Sequence, residues 1–144
     1  MNRHNQSEDS PSLALVTLVV GSTAHKREAA IWATIANNPR SNRQLSDDAQ
    51  PQVGLILEGL PDGKSDNISP QLSDTSFRIQ RIAPGCLCCT GNLVLRVTLN
   101  RLLREHLQQI YISIADASHL DNLRLFLSQP PYDAFLRLEA DLVA

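Results

Sequence analysis

All three cysteines of the chain lie within four residues, as Cys86, Cys88 and Cys89. Thiolate is a soft ligand that suits zinc, copper(I) or cobalt. The start of a helix just after this segment lowers thiol pKa and favours the thiolate form. A closed zinc site needs a fourth ligand besides three cysteines, and Glu58 and His119 are the candidates. The cluster therefore predicts a metal or thiol site.

The same cluster also has a structural interpretation. Free cysteine is often buried, so three small apolar side chains could pack at the end of a strand. The clustering favours metal or thiol chemistry over this alternative. A second, distant pair of ligands is absent from the sequence, so the pattern is not that of a zinc finger.

Length and composition narrow the class of protein. The chain has 144 residues, a formal net charge of −2 and 42% hydrophobic residues, which is typical of one domain with its own core. No stretch is apolar enough for a membrane span. The charge argues against a nucleic-acid protein held by phosphate contacts. The polar N-terminus has no apolar signal core, which predicts a cytoplasmic protein, where three cysteines do not suggest a disulfide framework.

Apolar runs alternate with amphipathic segments along the chain. A polar leader over residues 1–12 precedes a single domain over 13–144, and the polar stretches 38–52 and 59–75 are expected to be a loop and a mobile segment. Strands are predicted over 13–20, 53–57, 77–82, 110–115 and 134–138, and helices over 24–37, 92–107 and 119–128. The side chains predicted to face inward are Ala30, Ile31, Thr34 and Ile35 in the first helix and Leu93, Val97, Leu99, Leu102, Leu103 and Leu107 in the second.

This alternation predicts the α/β class, with a mainly parallel sheet and helices on both faces. Ligands of such sheets bind beyond the carboxyl ends of the strands. Gly21, Glu58, Cys86 and Asp116 all follow or end predicted strands, so they are expected at that edge.

At the cysteine turn the chain resembles the CobW-type GTPases, a family of P-loop metal chaperones. Residues 85–90 give their motif G-C-[IL]-C-C-T in full. Residues 15–21 are similar to the family's first strand, and residues 112–122 to its strand that ends in Glu-Thr-Ser-Gly-Leu-Ala-Asp-Pro. The resemblance implies a P-loop fold and GTP hydrolysis coupled to delivery of zinc or cobalt. It also implies a metal held by Cys86, Cys88 and Cys89, with Glu58 in place of the glutamate of an Asn-Glu-Phe-Gly motif.

The nucleotide site departs from that family. A P-loop has the pattern G-x-x-x-x-G-K-[ST], whose Lys neutralises phosphate and whose hydroxyl binds magnesium. Here residues 21–27 are one position short, His25 replaces the second glycine and Arg27 replaces the hydroxyl. Gly21 and Lys26 are the candidate phosphate-binding residues, and Lys26 and Arg27 together with the helix N-terminus could attract an anion. The alternative is a solvated first turn of the helix.

Asp116 is a candidate magnesium ligand of the Walker-B type. It follows the strand over 110–115, where the family has Glu-Thr-Ser-Gly and this chain has Ala-Asp-Ala-Ser. The carboxylate is therefore shifted by one position, and along a strand such a shift reverses the face on which a side chain lies. A solvated or capping aspartate is the alternative.

The leading hypothesis is a CobW-like metal-binding protein that binds zinc or cobalt, with impaired or lost GTP hydrolysis. Residues 13–144 correspond to the first half of the family's GTPase fold, so binding of GTP and magnesium is doubtful. One alternative is an active GTPase with an atypical phosphate loop. Another is a pseudo-GTPase that binds a full-length relative, a second copy of itself or a metalloprotein client through an open sheet edge.

Overall fold

The computed structural model of the protein describes residues 13–37, 53–59, 77–82 and 93–144. The predicted leader, the polar stretches 38–52 and 60–75, and the three cysteines lie outside the described residues. Within the described ranges, no helix has the length and apolar character needed to cross a membrane.

The elements follow the predicted alternation closely. The first helix spans the predicted residues, and the second ends four residues early. Two 3₁₀ turns, Ala117–His119 and Tyr132–Ala134, flank the third helix. The elements in chain order are β1 (Ala14–Val20), α1 (Ala24–Asn37), β2 (Val53–Glu58), β3 (Phe77–Ile82), α2 (Leu93–Leu103), β4 (Gln109–Ile114), α3 (Leu120–Leu127), β5 (Leu136–Leu138) and β6 (Leu142–Val143).

The strands form one sheet in the order β3-β2-β4-β1-β5, and every pairing is parallel. The prediction of an α/β fold with a mainly parallel sheet is therefore confirmed. Among the described strands β3 lies at one edge, and its sequence alternates apolar and polar residues, which is typical of a strand with one exposed face. The last strand is interrupted, because β5 and β6 pair successively with the same side of β1. The two-residue β6 was not predicted, because two residues are too few to show an alternation of apolar and polar side chains.

Helices cover both faces of the sheet. On one face α1 packs through Ile31 and Ile35 against β1, β2 and β4. On the other face α2 and α3 cover the larger cluster. That larger cluster includes Val16, Leu18, Val20, Ile56, Leu95, Leu99, Leu102, Ile110, Ile112, Ile114, Leu123 and Leu127.

The inward face of α2 differs from the prediction. Leu93 and Val97 are 69% and 51% exposed, whereas Leu95, Leu99 and Leu102 are fully buried. At 3.6 residues per turn, Leu93 and Val97 each lie about 200° around the helix from Leu95. They therefore share the solvent side, and placing them in the core was wrong. Because α2 is rich in leucine, two of its faces are apolar enough to pack against the sheet. The contact with the sheet determines which of them is buried.

His106, which follows α2, has a strained backbone conformation. His106 has a φ of 55°, in the left-handed region that costs a non-glycine residue about 1 kcal/mol. We expect His106→Gly to raise the free energy of unfolding by about 0.5–1 kcal/mol, measured by urea denaturation. His119→Gly is the matched control. Its φ of −88° is ordinary, so glycine there should lower stability. A loss of stability in both variants would contradict the prediction.

Candidate functional site

The order of the strands creates a crevice at the carboxyl edge of the sheet. β1 and β4 are neighbours, but the chain leaves β1 toward β2 and leaves β4 toward β5, on the opposite side. Parallel sheets bind ligands where the connections diverge in this way, outside the carboxyl ends of the strands. We call this place the switch-point site and define it by Gly21, Arg27, Glu58 and Ser113.

Arg27 fills the centre of the switch-point site. It lies in the first turn of α1 and is only 3% exposed. Its Nε donates to Ser113 Oγ at 2.8 Å, its Nη1 to the Gly21 carbonyl at 2.9 Å and its Nη2 to the Glu58 carbonyl at 3.0 Å. One guanidinium thus joins the ends of β1, β4 and β2, three adjacent strands.

The charge of Arg27 is buried but compensated. Burial lowers the pKa of its guanidinium, while attraction to Glu58 and Glu28 opposes that shift. Arginine starts from so high a pKa that it remains a cation at neutral pH. The switch-point site therefore has a fixed positive charge supplied by the chain itself.

Glu58, the predicted metal ligand, ends β2 beside that charge. Its side chain is buried, with 3% of the residue exposed. The backbone N–H of Ala115 donates to its Oε2 at 3.4 Å, across the ends of β2 and β4. The next residue, Gly59, has a φ of 124° and donates its N–H to the Ile82 carbonyl at 3.0 Å. The carboxylate is consequently held at the carboxyl edge, as the sequence predicts.

The first turn of α1 divides into an exposed and a buried side. Thr23 Oγ1 accepts from the N–H of Lys26 at 3.1 Å and so caps the helix. Lys26 is exposed, in keeping with the solvated alternative, whereas the same interpretation is wrong for Arg27. Glu28 forms an ion pair of 2.7 Å with Arg81 of β3 and so ties α1 to the edge of the sheet.

Asp116 caps the 3₁₀ turn that follows β4. Its Oδ1 accepts from the N–H of Ser118 at 2.9 Å, and its Oδ2 lies 3.6 Å from His119 Nε2. Hydrogen bonds from the side chain and backbone of Ser118, with a smaller contribution from His119, lower the pKa of the carboxyl. This geometry is that of the capping alternative. Binding of a cofactor by Asp116, Gly21 and Lys26 stays a prediction.

The switch-point site brings together only some of the predicted residues. Gly21 and Glu58 lie in it, while Asp116 and Lys26 lie on the exposed side of the same edge. In the ranges that the structure describes, no three His, Cys, Asp or Glu side chains converge as a metal site does. Cys86, Cys88 and Cys89 are outside those ranges, so their ligand role stays a prediction.

The sequence interpretation missed Ser113, and it treated Arg27 as a cation at the helix N-terminus and not as a buried group. The signal for Arg27 was present, because residues 27, 31 and 35 are spaced by four and share one helix face. A charged residue on the same helix face as buried apolar residues is itself expected to be buried, with polar groups around it that compensate its charge. Ser113 sits between two buried isoleucines, Ile112 and Ile114, where a polar residue likewise indicates a buried partner.

We compared the chain with models of known protein families, with curated proteins and with solved structures, and found no match in any of them. The resemblance to CobW-type GTPases therefore rests on the motif residues read from the sequence.

Proposed function

We propose that the chain is a cytoplasmic, CobW-like metal-binding protein with impaired or lost GTP hydrolysis. It binds zinc or cobalt through Cys86, Cys88 and Cys89, and Glu58 supplies a fourth ligand. Its partners are the metal ion, a metalloprotein client and a full-length relative or second copy of the chain. The sequence motif supports the thiolate ligands, and the parallel sheet is of the class that such a protein requires.

The observation that carries the loss of hydrolysis is the position of Arg27. Phosphoryl transfer needs a magnesium ion held by a hydroxyl at the start of the helix. In this chain that position carries a guanidinium, and three of its donors are bound to Ser113, Gly21 and Glu58. A magnesium ion bound as in a P-loop would therefore lack its hydroxyl ligand at this position.

The position of Glu58 supports the metal site. The carboxylate is held by the N–H of Ala115 and attracted by the charge of Arg27. Ligands that are oriented in advance by hydrogen bonds bind a metal more tightly than mobile ones. The carboxyl edge thus offers an oriented oxygen ligand, and the strand β3 leads toward the three cysteines along the chain.

The metal hypothesis is tested on the purified chain after loading with zinc. We expect about one zinc ion per chain and three thiols protected from a thiol reagent, as in a zinc–thiolate site. Cys86→Ser should weaken zinc binding by about a hundredfold in competition with a chelator, because thiolate binds zinc more strongly than a hydroxyl does. Leu87→Ala, between two of the cysteines in sequence, is the control and should bind zinc like the wild type.

The variant Glu58→Gln tests the fourth metal ligand separately from the cysteines. It keeps an oxygen acceptor for Ala115 but removes the negative charge, so we expect zinc binding about tenfold weaker with the thiols still protected. Less than about 0.2 zinc per loaded chain, together with three freely reacting thiols, would exclude the proposed site.

A further inference from the structure

A second concave surface lies at the amino end of the sheet, away from the switch-point site. It is a groove of about 400 Å³ between the start of β1, the end of α2 with the turn that follows, and the 3₁₀ turn before β5. We call it the α2 groove. It is lined by Ala14, Asn100, Leu103, Arg104, His106, Leu107, Ala134 and Phe135.

The α2 groove combines apolar walls with hydrogen-bond donors. Leu103, Leu107 and Phe135 are among the apolar residues that line it, and Phe135 is 53% exposed. Asn100 is oriented, because its Oδ1 accepts from the hydroxyl of Tyr132 at 3.1 Å and its NH₂ group is left as the donor. Pockets of this volume with a few convergent polar groups are typical binding sites for small molecules.

The charge in the α2 groove is positive. Arg104 is a permanent cation and lines the groove. The neighbouring carboxylate, Glu105, forms an ion pair of 2.9 Å with Arg78 of β3 and therefore does not neutralise Arg104. Arginine binds carboxylates through strong charge-assisted hydrogen bonds. The groove is thus complementary to an anion with an apolar body.

His106 adds an independent indication of binding. It lines the groove from the left-handed backbone conformation, with a φ of 55°. Among the described residues its imidazole has no hydrogen-bond or ion-pair partner that repays this strain. Strained residues of this kind cluster at sites of function. A glycine would fit the backbone better, so the chain retains an imidazole here at a cost in stability.

We infer that the α2 groove binds a small amphiphilic carboxylate with an apolar tail. The tail lies against Leu103, Leu107 and Phe135. The carboxylate accepts hydrogen bonds from Arg104, the His106 imidazole and the NH₂ of Asn100. This site is separate from the metal site and does not depend on the proposed function.

Octanoate is the probe, and titration calorimetry on the full chain is the measurement. We expect saturable, sub-millimolar binding of one octanoate per chain, and binding of 1-octanol about tenfold weaker because it lacks the charge. Arg104→Gln should weaken octanoate binding by about tenfold. Arg101→Gln is the matched control, since Arg101 is exposed in the last turn of α2, three residues before Arg104, but does not line the groove.

His106→Gly separates a binding role from a structural one. Removal of the strained residue should raise the thermal midpoint while octanoate binding falls at least about threefold. A purely structural histidine would change stability alone. The inference is overturned if octanol binds as tightly as octanoate, or if Arg101→Gln weakens binding as much as Arg104→Gln. It is also overturned if octanoate binds only after residues 1–12 are removed.

Discussion

Replacing Arg27 with methionine is expected to lower the free energy of unfolding by about 3–5 kcal/mol. Methionine fits the space and keeps the apolar contacts of the stem. It removes the three hydrogen bonds to Ser113, Gly21 and Glu58. Buried acceptors and the Glu58 carboxylate are then left without their cation, and uncompensated buried polar groups are costly.

The control for this prediction is the preceding residue. Lys26→Met also removes a positive charge, but from the exposed side of the same helical turn. The free energy of unfolding should therefore change by no more than about 0.5 kcal/mol. Arg27→Lys keeps the charge but loses the planar fork, and an intermediate loss is expected. Urea denaturation of the three variants gives the comparison. Equal losses for Lys26→Met and Arg27→Met would show that Arg27 does not hold the strand ends together.

Gly59→Ala is expected to lower the free energy of unfolding by about 3 kcal/mol. The φ of 124° is open to glycine and strained for other residues. An added Cβ would also lie 3.2 Å from the Cβ of Ala24, at the start of α1. Gly59 therefore lets β2 and α1 approach closely beside the switch-point site.

A second substitution separates backbone strain from crowding at this position. Ala24→Gly removes the crowded Cβ, so in the double variant it should recover part of the loss caused by Gly59→Ala. The remaining loss measures the backbone strain. Thermal or urea denaturation of the two single variants and the double variant gives the coupling. A Gly59→Ala variant as stable as the wild type would contradict the geometry at the end of β2.

Local patterns were sufficient to predict most elements of the fold. The apolar runs of β1, β2 and β4 and the amphipathic period of α1 identify these elements directly, because each has one dominant pattern. The parallel class followed from their alternation with helices. The outward position of Leu93 and Val97 could not be predicted in the same way, since the sheet contact decides between two apolar faces of α2.

The candidate site was predicted in part. Glu58 and Gly21 follow from the rule that ligands bind at the carboxyl ends of strands. The partners of Arg27 do not, because Ser113 is 86 residues away in sequence and becomes adjacent only through the strand order. A motif comparison treats Arg27 as a defect in a phosphate loop. The three-dimensional contacts make it the group that joins three strands.

We propose that Arg27 occupies the place where a nucleotide and its magnesium would bind, and the claim that hydrolysis is impaired or lost depends on this position. The most direct test is titration of a fluorescent GTP analogue with Mg²⁺ against the purified wild-type chain. We expect no saturable binding at high micromolar protein. Saturable, magnesium-dependent binding at about one nucleotide per chain, lost in Lys26→Met, would contradict the claim and favour a GTPase with an atypical phosphate loop.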